Sequence, residues 1–366
     1  EILLVGDDEP ATRETLADWT PTPKIVSIDA RDSDIVLAVR SRIAAMNRSP
    51  RAISASARGI ARPLAALQPG HQALLKLATF LETPGADLKP DRLVAAVTAD
   101  PEATAEILRL AKGASAGLRG PVTTASEAIG RIGPLRSVAL LVSSGLKNAE
   151  TLLVRQMPPP LRDWYHRRSV VNAAFASVFA QKQSGLSGDV AFVLGLFQDL
   201  GIAVAGAAFG ARYARLVTRA RSCGPTHLHV VERQDLGVDH AELSAALMEQ
   251  WNLPQSLLNA VRRHHGLSPP GDDARELLPY LGCLRLAESV ADLCDNRHPS
   301  RREEFLRQLT DCFGGQPARG FRALTESVDL ASEVAQQFRL SFVEEALLKN
   351  VFRSLDPATV NSNPRA

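Results

Sequence analysis

The sequence predicts a mostly α-helical protein with a small α/β segment at its amino-terminal side. Three observations carry this. Apolar residues recur three and four apart through most of the chain after residue 70. Helix starts are encoded locally, as at Asp100-Pro101-Glu102. There Asp can accept orphan N–H groups, Pro fits the first helical position and Glu favours the positive end of the dipole. The first 60 residues follow another pattern, in which apolar runs at 2–5 and 24–28 alternate with helical spacing at 11–19 and 34–46. That order, β-α-β-α, is expected of a small parallel unit.

The elements follow in order. Residues 47–70 are rich in Arg, Ser, Ala, Pro and Gly, so they are expected to be linker with a third strand around Ala52-Ile53. Residues 72–81 have helical spacing, and Lys89-Pro90-Asp91 opens a helix with Leu93, Val94 and Val97 on one side. The next helix carries Ile107, Leu108 and Ala111, and the glycine-rich stretch 113–120 after it reads as loop. Helices at 124–132 and 135–141 are separated by Gly133-Pro134. Further helices are predicted at 161–182, 189–198, 200–220, 240–251, 254–265, 276–294, 302–312, 320–338 and 342–354, before a polar tail at 356–366. The division expected is 1–60 for the α/β segment, 66–295 for the helical body, and 296–366 for a helical extension and tail.

Composition narrows the function classes. The chain has 366 residues, 45% hydrophobic and 22% charged, as in an ordinary globular protein. A net charge of +2 gives no overall field for nucleic acid or an anionic membrane. The pairs Arg167-Arg168, Arg262-Arg263 and Arg301-Arg302 are expected on solvated helix faces. The four cysteines form no Cys-x-x-Cys pair, which argues against structural zinc and for a reducing cytoplasm. Glu1 leads straight into an apolar run, so no signal peptide is read. Residues 190–210 approach membrane length, but Gln198 and Asp199 in their middle favour a buried helix or helix pair. Neither a phosphate-binding Gly-x-x-x-x-Gly-Lys-Ser/Thr loop nor a Gly-x-Ser-x-Gly elbow is present.

The pair Gln198-Asp199 is the most informative feature. A buried polar pair in an apolar segment needs a reason to exist. His in place of Gln198 would complete a metal-holding His-Asp pair, whereas a neutral amide is a poor metal ligand.

Several short motifs coincide with this pair: Asp100-Pro101 then Ile107-Leu108-Arg109-Leu110-Ala111, Val122 to Ile129 with Ile132-Gly133, and Leu196 to Gly201. Glu232, Leu236-Gly237, Asp239 to Leu243, Trp251 to Pro254 and His264-His265-Gly266 follow. In this order and spacing they resemble the HDOD domain, the HD-related output domain of bacterial signalling proteins, over roughly residues 66–295. The resemblance implies an all-helical, HD-like body that serves as a regulatory or scaffold module. HD-type phosphohydrolases need a His, a His-Asp pair and a distal Asp around one or two metals, and HD-GYP phosphodiesterases add further histidines. Here Arg168 stands at the first His position, and a guanidinium cannot ligate a metal. His166, two residues earlier, falls on a different helix face and is expected at the surface. Gln198 stands at the second His position. The remaining set is vestigial: Asp199, His240, His264, His265 and Glu288, with Asp292 one turn on.

Each has an ordinary structural role as its alternative. Asp199 would serve the turn before Leu200-Gly201, or accept hydrogen bonds. His240, in a stripe with Leu243, Leu247 and Trp251, would be a buried imidazole bonded to a carboxylate or carbonyl. One of His264 and His265 would complement a helix C-terminus as imidazolium. At the amino-terminal side, Asp7 and Asp8 resemble the acidic pair of a response-regulator receiver. No phosphoacceptor carboxylate appears at 52–57, so a receiver here would be truncated and degenerate; a short α/β cap is the alternative.

The expectation is a non-catalytic signal-transduction module, of the kind found in bacterial two-component pathways. It would have no catalytic residue and no cofactor, and would act on a protein partner rather than on DNA or a membrane. The sequence leaves room for a homo-oligomer. Two alternatives stand beside it. One is a residual metal-dependent phosphohydrolase acting on a nucleotide or cyclic dinucleotide. The other is a nucleotide sensor in which Arg168 holds a phosphate without hydrolysing it.

Overall fold

The computed structural model describes residues 50–65, 72–82, 88–114, 122–222, 226–266, 277–295, 298–313, 317–337 and 345–355. Every regular element among them is helical, in agreement with the helical body that the periodicity predicts. Asp7, Asp8 and the β-α-β-α reading of the first residues lie outside the described residues.

The linker and third strand expected at 47–70 are overturned in part, because Pro50–Ala65 is a helix, α1. Its Ile53, Ala57 and Ala61, four apart, are buried against neighbouring helices, while Arg58 and Arg62 are exposed. The Ser, Gly and Pro content hid an amphipathic stripe; tertiary burial of that stripe overrides weak propensity.

The next elements are α2 (Gln72–Lys76), a 3₁₀ turn (Leu77–Glu82), α3 (Pro90–Thr98), α4 (Pro101–Ala114), α5 (Ala125–Ile132) and α6 (Pro134–Arg155). The cap read at Asp100 is present: its Oδ1 accepts from the Ala103 amide at 2.8 Å. A reciprocal capping box joins Thr124 and Glu127 at the start of α5. Then come α7 (Pro159–Gln181), α8 (Gly188–Gln198), α9 (Leu200–Phe209), α10 (Ala211–Ser222) and α11 (Leu228–Leu236). The series ends with α12 (His240–Gln250), α13 (Gln255–Arg262), α14 (Leu281–Asp295), α15 (Pro299–Cys312), α16 (Pro317–Gln337) and α17 (Glu345–Leu355).

Three differences from the sequence prediction matter for the site. The single helix expected at 200–220 breaks at Gly210, whose φ of 51° suits glycine. Residues 228–236, not counted as helix, form α11. The helix expected to run to 265 stops at Arg262, which places His264 and His265 in a turn closed by Gly266.

Helix α7 lies at the centre, packed against α8, α14 and α16. Small and apolar residues surround it on all sides, so it has no solvent face through Ala173–Ala180. Within Gly188–Phe209 an 18-residue window has a mean hydropathy of 1.8 and is 94% buried, and the stretch forms the core pair α8 and α9. Each fully buried Phe or Leu here contributes roughly 1.5–3 kcal/mol. Two glycines permit the close packing. A Cβ on Gly195 would meet the Ala173 backbone at 2.7 Å, and one on Gly201 would meet the His240 carbonyl oxygen at 2.0 Å. Only glycine admits α9 this close to α12. Ser244 fixes the approach: its Oγ accepts from the Gly201 amide (2.6 Å) and donates to the Gln198 carbonyl (3.0 Å).

Candidate functional site

The corner between α8 and α9 brings Asp199 against the middle of α7, where Arg168 and Asn172 lie one turn apart. Helix α14 approaches from the other side with Glu288 and Asp292, also four apart and therefore on one face. The Arg168 side chain is only 3% exposed and Asp199 is fully buried. Arg168 donates from Nε to Asp199 Oδ2 (2.6 Å), from Nη1 to Asp292 Oδ1 (2.5 Å) and from Nη2 to Glu288 Oε1 (3.0 Å). Asn172 Nδ2 adds a bond to Asp199 Oδ2 at 2.6 Å. A rigid fork of donors thus meets three carboxylates, the geometry that arginine satisfies and lysine does not.

Asp292 is shared further. Arg301 of α15 donates to its other oxygen, and His227 Nδ1 lies 3.5 Å away. Burial alone would raise both aspartates. Arg168 outweighs it in each case, aided by His240 at Asp199 and by His227 and Arg301 at Asp292, and holds both carboxyls well below the usual range. Glu288 goes the other way: burial and the neighbouring Asp292 and Asp199 charges push it up to about 8 despite Arg168.

Histidines form the second half of the centre. His240 opens α12, capped by Asp239, and its Nδ1 bonds Glu232 of α11 at 2.6 Å. Tyr213 of α10 donates to the same Glu232. Burial works against charge on His240, but the Glu232 and Asp199 carboxylates outweigh it and hold its proton well above the usual range. His240 Nε2 stands 3.0 Å from His265 Nε2 and 3.4 Å from Asp199 Oδ1. His265 Nδ1 is 3.1 Å from Glu288 Oε2, and His264 Nε2 is 3.9 Å from it. Burial and the surrounding cationic rings depress the remaining imidazoles, His264 to about 4 and His265 well below its usual value. Both are neutral at pH 7.

Donor atoms of His240, His264, His265 and Glu288 all lie within 4.8 Å of one another. His264 Nε2 and Asp199 Oδ1 are buried without a hydrogen-bond partner. Imidazole and carboxylate donors in this number suit a transition metal, so this half fits one ion once His240 gives up its proton. The other half does not fit: a guanidinium bonds three of its carboxylates, and the Gln198 amide, fully buried with both polar atoms unpartnered, offers no ring nitrogen.

The structure therefore brings together every vestigial residue read from the sequence: Asp199, His240, His264, His265 and Glu288. It also changes several roles. Arg168 and Arg301 are buried rather than solvated. Asp199 sits at the turn, but its side chain makes no cap bond and serves Arg168 and Asn172 instead. His264 does reach the last carbonyls of its helix, bonding Val261 O at 2.6 Å, but as a neutral N–H donor rather than an imidazolium. Each nitrogen of Arg168 is engaged by a carboxylate, so the residue presents no phosphate cradle. His166 is exposed.

Sequence reasoning missed Asn172, His227, His229 and the inward turn of Arg301. His229 stacks on His265 at 4.0 Å and on His227 at 5.3 Å, extending the row of rings outward. The available signal was the local pattern His227-Leu228-His229 three to five residues before Glu232.

The HDOD domain model matches residues 67–267. An uncharacterized protein of Treponema pallidum (strain Nichols) is 26% identical over 271 residues, covering 72% of this chain and 49% of the relative; the chain thus spans about half that relative's length. An HDOD domain protein of unknown function from Geobacter sulfurreducens superposes with a TM-score of 0.57 at 18% identity, covering 84% of this chain and all of that one. A candidate signal transduction protein from Marinobacter aquaeolei VT8 superposes with a TM-score of 0.52 at 17% identity, covering 78% and 66% of the two chains. Helical architecture, residue order and the matched span agree, and the chain belongs to the HDOD family.

Proposed function

We propose that this protein is a non-catalytic regulatory module of bacterial signal transduction, acting in the cytoplasm through contact with a protein partner. One observation carries the proposal: the Arg168 guanidinium bonds Asp199 and Glu288, which stand at the two carboxylate positions of an HD-type metal set, and Asp292 beside them. Hydrolysis on an HD-type scaffold needs a metal-activated water with an open coordination position. Arg168 supplies the positive charge without that position, and it cannot release a proton in exchange for a cation. What it does supply is rigidity, because one side chain ties α7, the α8–α9 corner and α14 into a fixed surface.

The test combines metal analysis, turnover and capture on the purified protein. The expected results are substoichiometric Mn, Fe and Zn, no hydrolysis of cyclic dinucleotides or nucleotides, and recovery of a specific partner from host extract. Stoichiometric metal lost in His240→Ala, together with cyclic dinucleotide turnover, overturns the proposal.

The convergence of His240, His264, His265 and Glu288 favours a second reading, a mononuclear phosphohydrolase on the histidine half alone. There the ion would act as Lewis acid, and Arg168 would hold Asp199 and Glu288 in place. That reading requires turnover that survives Gln198→Leu and disappears in His265→Ala.

A further inference from the structure

Another face of α7 lines a separate site. Arg168 and Asn172 turn toward the buried centre, whereas His166, Ser169 and Val170 line a cleft of ≈ 160 Å³ between α4, α6, α7 and the end of α8. Its walls include Leu110, Val170 and Leu196. Three polar groups enter it. Ser143 Oγ is buried and has no hydrogen-bond partner, and Ser169 Oγ, on a residue only 6% exposed, lies beside the Tyr165 hydroxyl. Glu150 is the third: its Oε2 accepts from the buried Tyr165 hydroxyl at 2.8 Å, and it forms no ion pair among the described residues. A buried hydroxyl without a partner and a half-buried carboxyl that Lys147 offsets only in part leave acceptor capacity for a ligand to satisfy.

We propose that this cleft binds a small primary alkylammonium, with Glu150 as its counter-ion, the Ser143 and Ser169 oxygens as further acceptors, and Leu110, Val170 and Leu196 around its alkyl stem. An ammonium has three N–H donors and no acceptor, which matches three acceptor groups. The volume equals that of a cavity holding a six-carbon ring, about 150 Å³, and so admits a stem of about four to six carbons. An anion would have to lie against the Glu150 carboxyl. The other charged and titratable groups lining the cleft are Glu106 and Arg109, bonded to each other on α4, Lys147 on α6 and His166 on α7, with the buried Tyr165 behind Glu150. His166 is exposed overall, but partial desolvation where it meets the cleft wall lowers its pKa, so it does not repel the ligand.

Protonation gives the site a signature. Burial holds the free Glu150 carboxyl at about 7, with the Tyr165 bond and the Lys147 charge offsetting part of the rise. Ammonium binding needs it ionised, so affinity increases by about tenfold from pH 6 to pH 8, with proton uptake by buffer on binding. This site does not depend on the metal state of the Arg168 centre, and the two proposals fail separately.

The experiment titrates the full chain with n-butylammonium, butyrate and n-butanol, followed by calorimetry and by amide NMR shifts in α6 and α7. Only n-butylammonium is expected to bind, more tightly at pH 8. Glu150→Gln, which keeps an acceptor for Tyr165, is expected to lose at least tenfold in affinity, and Ser143→Ala a few-fold. Equal binding of butyrate or butanol, unchanged affinity in Glu150→Gln, or no response to any probe by a folded protein overturns the proposal.

Discussion

The two halves of the polar centre treat their acidic groups in opposite ways. Around Arg168, permanent cations from α7 and α15 neutralise Asp199 and Asp292, and both carboxyls are strongly acidic. Around His264 and His265 the rings are neutral, Glu288 is pushed up to about 8, and buried nitrogen and oxygen atoms converge unpartnered. The first half is a closed ionic clamp and the second an open donor cluster. The contrast shows that one polar centre can hold a guanidinium-bonded half beside a half that keeps a donor cluster. A covalently attached cation satisfies the carboxylates where Arg168 sits, while neutral His264 and His265 keep a lone pair each.

The largest expected effect comes from breaking the clamp. Arg168→Ala leaves Asp199 and Asp292 buried without their main counter-charge, and a loss of about 3–5 kcal/mol in urea unfolding is expected. The double change Arg168→His with Gln198→His sharpens the comparison by making the closed half resemble the open one. Metal analysis of that variant is expected to find about one Mn or Fe more per chain than in the parent protein.

A smaller effect concerns pH. His227 is buried enough to resist charge, yet its Asp292 and Glu304 bonds raise it to about 9. A raised histidine stabilises fully below its unfolded value of about 6.5 and loses that contribution as pH rises through about 9. Thermal melts between pH 6.5 and pH 9.5 are therefore expected to show a falling Tm, with a shallower slope in His227→Gln. A steeper slope would mean that the clamp depends on another group.

The smallest effect is expected at Gln198. Its amide is buried without partners, so Gln198→Leu removes unsatisfied polar atoms at similar volume. A change between 0 and about +1 kcal/mol in stability is expected from chemical unfolding. A large loss would show that the amide is bonded in solution.

Much of the helical body was legible because its periodicity and caps are local: Asp100 caps where the sequence places it, and Gly188–Phe209 is buried as its interrupted hydropathy implies. Helix α1 was not, because a stripe of Ile53, Ala57 and Ala61 is too weak to read until α12 is there to cover it. The site was legible as a set of residues but not as a circuit. The Arg168–Asp199 bond spans 31 positions and the Arg168–Asp292 bond 124, and no spacing rule reports such pairs. His227 and His229 escaped for a related reason, since they flank the start of a helix whose apolar stripe, Leu228, Val231 and Leu236, is short and interrupted by charged residues.

Helix α12 has a mechanical consequence. His240 at one end is fixed in the buried centre, while Glu242 and Glu249 meet Ser54 and Arg58 of α1. Eleven residues of α-helix form a strut about 16 Å long. With Gly201 pressed on its first turn, this strut cannot slide along its axis without disturbing the α8–α9 corner, so the contacts with α1 and the position of His240 rest on one rigid element.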